Sequence, residues 1–172
     1  MGRAELTRAG YVCRGMGRIE DRLAELELEL PKPFAAPPGV EFKFDLVQLS
    51  GGLAYVSGHL PTDGAEVLMT GKVGADVSVE EGYEAARLTG LAILASLKQE
   101  LGELDRVARW VKALGLVNCA PGFSKTPAVI NGFSELIVEL WGEEGRHARS
   151  AIGASELPFD VPVEVEAIVE VS

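Results

Sequence analysis

The sequence has few of the residues from which proteins build covalent or metal cross-links. Its 172 residues include only two cysteines and two histidines. Cys13 and Cys119 lie far apart and form no CxxC spacing, so we expect two reduced thiols and no structural zinc site. The motifs GxGxxG, GxxxxGK and GxSxG are also missing, which argues against a nucleotide-phosphate cradle and against a nucleophile elbow. We therefore expect neither a metal nor a cofactor.

Long apolar runs and an excess of basic charge are missing as well. No run reaches the roughly 18 residues that indicate a membrane-spanning helix. The positively charged N-terminus contains no apolar stretch, so it does not resemble a secretory signal. Sixteen basic residues stand against 26 acidic ones, a net charge of −10, and such a charge repels nucleic-acid phosphates and anionic lipid. We expect a cytoplasmic protein with no membrane and no nucleic-acid partner.

The composition, 47% hydrophobic and 24% charged, is typical of a folded globular chain. An apolar stripe at helical spacing predicts a short helix over 18–30. The members of this stripe are Ile19, Leu23, Leu26 and Leu30. Five prolines and glycines in PKPFAAPPG predict a loop over 31–39. The sequence thus predicts an N-terminal extension at 1–30 and a single domain at 31–172.

Within this domain, strands and two long helices are predicted. The strands fall at 41–50, 53–58, 106–118, 147–158 and 161–172. A Gly51-Gly52 turn joins the first two. In the last strand valines alternate with Glu164, Glu166 and Glu170, so one face is apolar.

Both helices have recognisable ends. The first begins at Ser78, which forms a capping box with Glu81, and ends at Gly102. The second is expected to have Thr126 as its N-cap, with Pro127 following, and to end at Gly142. Each helix has one apolar face, so both are expected on one side of a mixed β-sheet, in the α+β class. The other side of the sheet must then be buried by something else, and we expect that self-association buries it.

Arg149 is the main candidate for binding a ligand. Its small neighbours Ala151 and Gly153 leave a recess in which a guanidinium can hold a carboxylate through two parallel hydrogen bonds. The more ordinary interpretation is an ion pair between strands or between subunits, for instance with Glu164 or Glu166. Alternatively, one of these glutamates lies near Arg149 and activates a water as general base.

Ser57, His59 and Asn131 are weaker candidates. An extended strand puts Ser57 and His59 on one face, either as a polar strand end, which is the more ordinary interpretation, or as a nucleophile pair. Asn131 lies inside the second predicted helix. It is either exposed on the surface or hydrogen-bonded toward the sheet.

Four segments resemble the RidA/YjgF family of reactive-intermediate deaminases, and its longer-chain branch in particular. They are VSGHLP at 56–61, VNCAPGF at 117–123, GRHARSAIG at 145–153 and ELPFDVPVEVEAI at 156–168. The resemblance implies a chorismate-mutase-like α+β fold that assembles as a homotrimer with clefts between neighbouring subunits. It also implies cofactor-independent hydrolysis of 2-aminoacrylate-type enamines and imines to 2-keto acids and ammonia.

The resemblance implies roles for particular residues. Arg149 corresponds to the arginine that clamps the substrate carboxylate, and Glu164 to the acid associated with the water. Ser57 and Asn131 correspond to residues that line the cleft. Phe44 stands in the cleft where the short branch of the family has a tyrosine, so a hydroxyl that could orient water is missing.

Two further departures concern His59, where the family often has glutamine, and Ala151, where the short branch commonly has cysteine. The change at Phe44 favours an alternative function, that of a non-catalytic trimeric protein that binds a small 2-keto or amino acid. A third alternative, an endoribonuclease, is disfavoured by the net charge of −10.

Overall fold

The computed structural model describes residues 17–36 and 39–172. Cys13, expected to be a reduced thiol, lies outside the described residues. The helices are α1 (Arg18–Glu25), α2 (Val79–Leu101) and α3 (Thr126–Trp141). The strands are β1 (Val47–Ser50), β2 (Leu53–His59), β3 (Thr62–Asp63), β4 (Glu66–Val67), β5 (Val107–Asn118), β6 (Ala148–Ala154) and β7 (Val163–Val171).

The main sheet has five strands in the order β1-β2-β7-β5-β6. Only the β5–β6 pair is parallel, so the sheet is mixed. Side chains alternate along β7: Val163, Val165, Ala167 and Val169 are buried, while the glutamates between them are more exposed. The predicted alternation of the last strand is therefore confirmed.

Both long helices pack on the valine face of this sheet, as predicted. Helix α2 begins with the expected capping box, in which the Ser78 hydroxyl accepts from the Glu81 amide at 3.1 Å and Glu81 accepts from the Ser78 amide at 2.8 Å. Helix α3 ends at Gly142. Its last residue, Trp141, is buried and donates from Nε1 to the Val107 carbonyl of β5 at 2.9 Å. The α+β class with two helices on one face is confirmed.

The end of α1 and the start of α3 differ from the prediction. Helix α1 stops at Glu25 rather than at residue 30, because Leu26 and Glu27 form a turn in which Glu27 has a φ of 53° and the Leu28 amide donates to the Leu23 carbonyl at 2.9 Å. Leu26, Leu28 and Leu30 are partly buried. The N-cap of α3 is Lys125, one residue before the predicted Thr126. Instead of capping the helix, the Thr126 hydroxyl donates to the Ala151 carbonyl of β6 at 3.1 Å.

The predicted strand at 41–50 is shorter than expected, since only Val47–Ser50 forms β1. The last two strands are also shorter, at 148–154 and 163–171. The segment before β1 bends at residues 43–44, and this bend removes Phe44 from the sheet.

Helix α1 packs against the domain. Ile19 and Leu23 are buried in the same core as the sheet. The Asp105 carboxylate accepts from the amides of Arg18 at 2.6 Å and Ile19 at 3.1 Å, and thereby satisfies the first turn of the helix. The domain boundary at residue 30 stays a prediction. In the described ranges, no helix combines the length and apolarity needed to span a bilayer.

Candidate functional site

Arg149 lies on the edge strand β6 and reaches toward α3. Its Nη1 donates to the side-chain oxygens of Asn131 at 3.0 Å and Ser134 at 2.9 Å, and its Nη2 donates to the Pro127 carbonyl at 3.3 Å. All three acceptors belong to α3. A guanidinium has five N–H donors, so these bonds leave the Nε–H and one Nη2–H without a partner among the described residues. The first turns of α3 therefore hold the guanidinium and leave two of its donors for a ligand.

Among the residues that the structure describes, Arg149 has no acidic partner. None of the ion pairs found within residues 17–36 and 39–172 involves it. Burial alone lowers the pKa of Arg149, because partial removal from water disfavours its charged form. The interpretation of Arg149 as an ion pair with Glu164 or Glu166 is therefore wrong for the single chain.

The sheet register explains why this pair does not form. Arg149 lies beside Ala113 of β5, which in turn lies beside Ala167 of β7. Both alanines are buried under the helices, so Arg149 emerges on the helix-covered face. Glu164 lies beside Leu116 of β5, three positions further along and hence on the opposite face.

We call this opposite side the open face of the sheet. It includes Tyr55, Leu116, Ile152, Glu164 and Ile168. Tyr55 is 43% exposed and Ile152 is 50% exposed. Large apolar side chains are thus left uncovered in the single chain.

Glu164 packs over Gly58 at the end of β2. A Cβ atom on Gly58 would overlap the Glu164 Oε1 and would lie 3.0 Å from its Cδ. Burial, and to a smaller degree the charge of Glu166, raises the pKa of Glu164. Its carboxyl group therefore holds a proton more readily than an exposed glutamate does.

The Ser57 hydroxyl and the His59 ring do not form a nucleophile pair, although His59 Nδ1 lies 2.7 Å from the Ser57 backbone carbonyl oxygen. A β-bulge between Val56 and His59 breaks the strand alternation, so the expectation that both lie on one face is wrong. The Ser57 hydroxyl donates to the Asp45 carbonyl at 2.7 Å. The His59 ring is 1% exposed and lies in the core, where its Nε2 is 2.8 Å from the Ser96 Oγ on α2.

Phe44 lies outside the sheet and is 55% exposed. Its ring stacks on Phe42 with 5.0 Å between centroids, and Phe42 stacks on Phe34 at 5.5 Å. Phe44 also lines a surface cavity of about 400 Å³ between β1 and the last turns of α2.

The predicted site residues thus fall into two groups. Arg149 and Asn131 come together where α3 packs on the sheet. Glu164 belongs to the open face with Gly58, and Ser57 lies next to Gly58 in the β2 bulge. The single chain does not bring the arginine and the glutamate to a common ligand. Within the described residues, no cluster of three or more metal-ligating side chains was found.

A family model described as "YjgF/chorismate mutase-like, putative endoribonuclease" matches residues 20–170. The chain belongs to this family. The family resemblance of the four sequence segments is thereby confirmed, and the mixed sheet carrying two helices agrees with it.

Three proteins are similar to this chain over most of its length. Protein TCP17 of Trypanosoma cruzi is 42% identical over 157 residues, which are 91% of this chain and 96% of that protein. The crystal structure of Atu1372 from Agrobacterium tumefaciens, a protein of unknown function, is 42% identical with a TM-score of 0.82 and covers 90% of this chain and 93% of that one. A "putative endoribonuclease" structure from Shewanella oneidensis is 33% identical with a TM-score of 0.81, covering 89% and 99%.

Sequence reasoning missed two side chains near Arg149. Ser134 follows Asn131 by three residues on α3, and this spacing puts both on one side of a helix. His147 precedes Arg149 by two residues, which puts both on one side of a strand. The carbonyl of Pro127 also binds Arg149, but a backbone group has no sequence signal.

Proposed function

We propose that this YjgF-family protein hydrolyses 2-aminoacrylate-type enamines and imines without a cofactor. In this proposal it belongs to the longer-chain branch and acts in the cytoplasm as a homotrimer. The observation that carries the proposal is the guanidinium of Arg149, which three neutral acceptors hold and which no carboxylate of the described part of the chain neutralises.

The free donors of Arg149 fit a carboxylate. In this proposal the Pro127 carbonyl takes the Nη2–H that points away from Nε, and the other Nη2–H lies beside the Nε–H, which is the arrangement that binds both oxygens of a carboxylate. A partly buried positive charge without a partner gains more from an anion than an exposed one, because water screens it less. A small 2-imino or 2-keto acid supplies such an anion.

A second chain supplies the general base. Arg149 and Glu164 lie on opposite faces of their own sheet, so they can reach one ligand only when Glu164 comes from a neighbouring subunit. The apolar side chains exposed on the open face, Tyr55 and Ile152 among them, favour an assembly that buries this face. A homotrimer with closed symmetry gives three equivalent clefts.

The reaction needs one water. The enamine first takes a proton from solvent at its terminal carbon and becomes the iminium ion. Ionised Glu164 removes a proton from the water while the water oxygen bonds to the iminium carbon, which gives a neutral carbinolamine and protonated Glu164. Glu164 then passes this proton to the carbinolamine nitrogen, ammonia leaves as the hydroxyl proton returns to solvent, and the keto acid remains. Positioning supplies much of the acceleration, because imines are already reactive toward water.

A second candidate function is that of a non-catalytic protein that binds a 2-keto or amino acid. Phe44 supports it, because phenylalanine has no hydroxyl with which to orient the water. Arg149 would then bind the carboxylate, and no imine would be hydrolysed. An endoribonuclease would have to attract a polyanion to a chain with a net charge of −10, and we do not favour it.

The test compares wild-type protein with Arg149→Lys on iminopyruvate generated in situ, with keto-acid release as the readout. Lysine keeps the charge but loses the paired donors, and we expect kcat/KM to fall about 100-fold, since each charged hydrogen bond contributes roughly 1.5–3 kcal/mol. Arg146→Lys is the matched control, because Arg146 is exposed and pairs only with Glu143. The control should keep wild-type activity.

The outcomes separate the two functions. If wild-type protein does not accelerate keto-acid release, the deaminase proposal is wrong. Saturable binding of 2-oxobutyrate that Arg149→Lys abolishes would then support the binding-protein alternative. Light scattering tests the assembly separately: we expect three times the chain mass of 18.3 kDa, and a particle of 18.3 kDa would refute the trimer.

A further inference from the structure

A chain of hydrogen bonds connects Arg149 to a histidine that the proposed reaction does not use. The Ser134 Oγ lies 2.9 Å from Arg149 Nη1 and 3.1 Å from His147 Nε2. On the other side of the ring, His147 Nδ1 lies 2.7 Å from the Gly145 carbonyl oxygen. One serine hydroxyl is therefore shared between a guanidinium and an imidazole.

The Gly145 carbonyl and the Arg149 guanidinium, at the two ends of this hydrogen-bond series, determine which group donates in each bond. The Gly145 carbonyl only accepts, so the His147 Nδ1 carries a proton. The Arg149 guanidinium only donates, so the Ser134 oxygen accepts from it. The Ser134 hydroxyl proton is then free to point at His147 Nε2, which accepts it when the ring is neutral.

The surroundings of His147 favour this neutral ring. It packs edge-on against Phe133 at 5.6 Å between ring centroids and lies 6.5 Å from the Trp110 ring. The charged groups that act on it are Arg149 on β6 and Lys112 on β5, and both are positive. Burial and these charges lower the pKa of His147, although its bond to Gly145 opposes the shift.

We propose that His147 and Ser134 are positioning residues for Arg149. The neutral ring accepts the Ser134 proton and so turns the hydroxyl lone pairs toward Nη1. With Nη1 held by Ser134 and Asn131, the guanidinium presents Nε and Nη2 outward. This inference rests on the proposed function only in assigning a carboxylate to those outward donors.

Substitutions at His147 and Ser134 test whether these hydrogen bonds position Arg149. His147→Phe keeps an aromatic ring against Phe133 and removes the acceptor, so we expect 2-oxobutyrate to bind about tenfold more weakly, the effect of losing one hydrogen bond. His147→Gln places an amide oxygen near the position of Nε2 and should restore most of the affinity. Ser134→Ala should weaken binding as His147→Phe does, whereas Ser124→Ala, on the exposed loop before α3, should not.

A double-mutant cycle distinguishes positioning from general packing. If His147 acts through Ser134, adding His147→Phe to Ser134→Ala weakens binding no further. Additive losses, or a failure of His147→Gln to restore affinity, would overturn the proposal. Calorimetric titration with 2-oxobutyrate measures all of these affinities.

Nuclear magnetic resonance tests the inference without any ligand. The ¹⁵N shifts of His147 at neutral pH should show the proton on Nδ1, and the Nη groups of Arg149 should rotate more slowly in wild-type protein than in His147→Phe. A proton on Nε2, or equal rotation in both proteins, would overturn the proposal. If wild-type protein does not bind 2-oxobutyrate, the proposed carboxylate site is wrong. The His147 shifts and the Arg149 rotation rates then test the positioning role by themselves.

Discussion

Helix α3 crosses α2 at Gly132, where the two backbones touch. A Cβ atom at this position would overlap the Tyr83 carbonyl oxygen and would lie 2.8 Å from its carbonyl carbon and 3.2 Å from the Arg87 amide nitrogen. Carbon atoms pack best at about 3.5 Å or more. Gly132→Ala therefore forces the two helices apart by at least about 0.7 Å, since the obstacle is backbone and cannot rotate away.

The free energy of unfolding should fall by about 2 kcal/mol. Overpacking a core typically costs up to about 3 kcal/mol, and a backbone obstacle puts Gly132 at the upper end. Alanine regains about 1 kcal/mol through its higher helix propensity. For a chain of this length the difference lowers the melting temperature by roughly 4–8 °C.

Urea unfolding followed by tryptophan fluorescence measures this loss, because the chain has two tryptophans and both are buried. All variants are compared at one chain concentration, which keeps any assembly equilibrium constant. Gly90→Ala on α2 is the matched control: its new Cβ would lie 2.9 Å from the Leu136 Cδ2 methyl, the far end of a side chain that can rotate. The reasoning is refuted if Gly132→Ala is as stable as wild-type protein, or no less stable than Gly90→Ala.

Two further predictions concern the open face and the buried histidine. Gly58→Ala should displace the flexible Glu164 carboxylate and lower kcat at least about tenfold while 2-oxobutyrate still binds; an unchanged kcat would contradict the role of Glu164 as base. Burial lowers the pKa of His59 below its ordinary value near 6.5, so its contribution to stability is present above that pH and is lost as the pH falls below it. Thermal melts from pH 7.5 to 5 should therefore show a smaller acid-side decrease in melting temperature for His59→Gln than for wild-type protein, and equal slopes would contradict this.

Features with local causes were predictable from the sequence. The capping box at Ser78 depends on residues three positions apart, and the one-sided burial of β7 depends on a period of two. Both therefore appear directly in the sequence. The apolar stripes of the two helices likewise predicted a mixed sheet with both helices on one face, and the family resemblance added the chorismate-mutase-like fold.

Features with non-local causes were not predictable. The bulge that turns His59 into the core depends on how β2 pairs with β7. The face on which Arg149 emerges depends on β5 lying between β6 and β7. ELELEL continues the apolar stripe of a helix, yet the helix ends at Glu25, because Glu27 takes the left-handed backbone conformation that glycine usually provides at a helix end.

The strand order links the two main proposals. Because β5 separates β6 from β7 and sets Arg149 and Glu164 on opposite faces, the proposed carboxylate clamp and the proposed base of one chain cannot serve the same molecule. The proposed hydrolysis thus requires a neighbouring subunit, whereas the proposed binding of a small acid does not, since α3 of the same chain completes the guanidinium's support. If the protein in solution is a single chain, the hydrolysis proposal loses its base, and only the carboxylate-binding function is still consistent with the geometry.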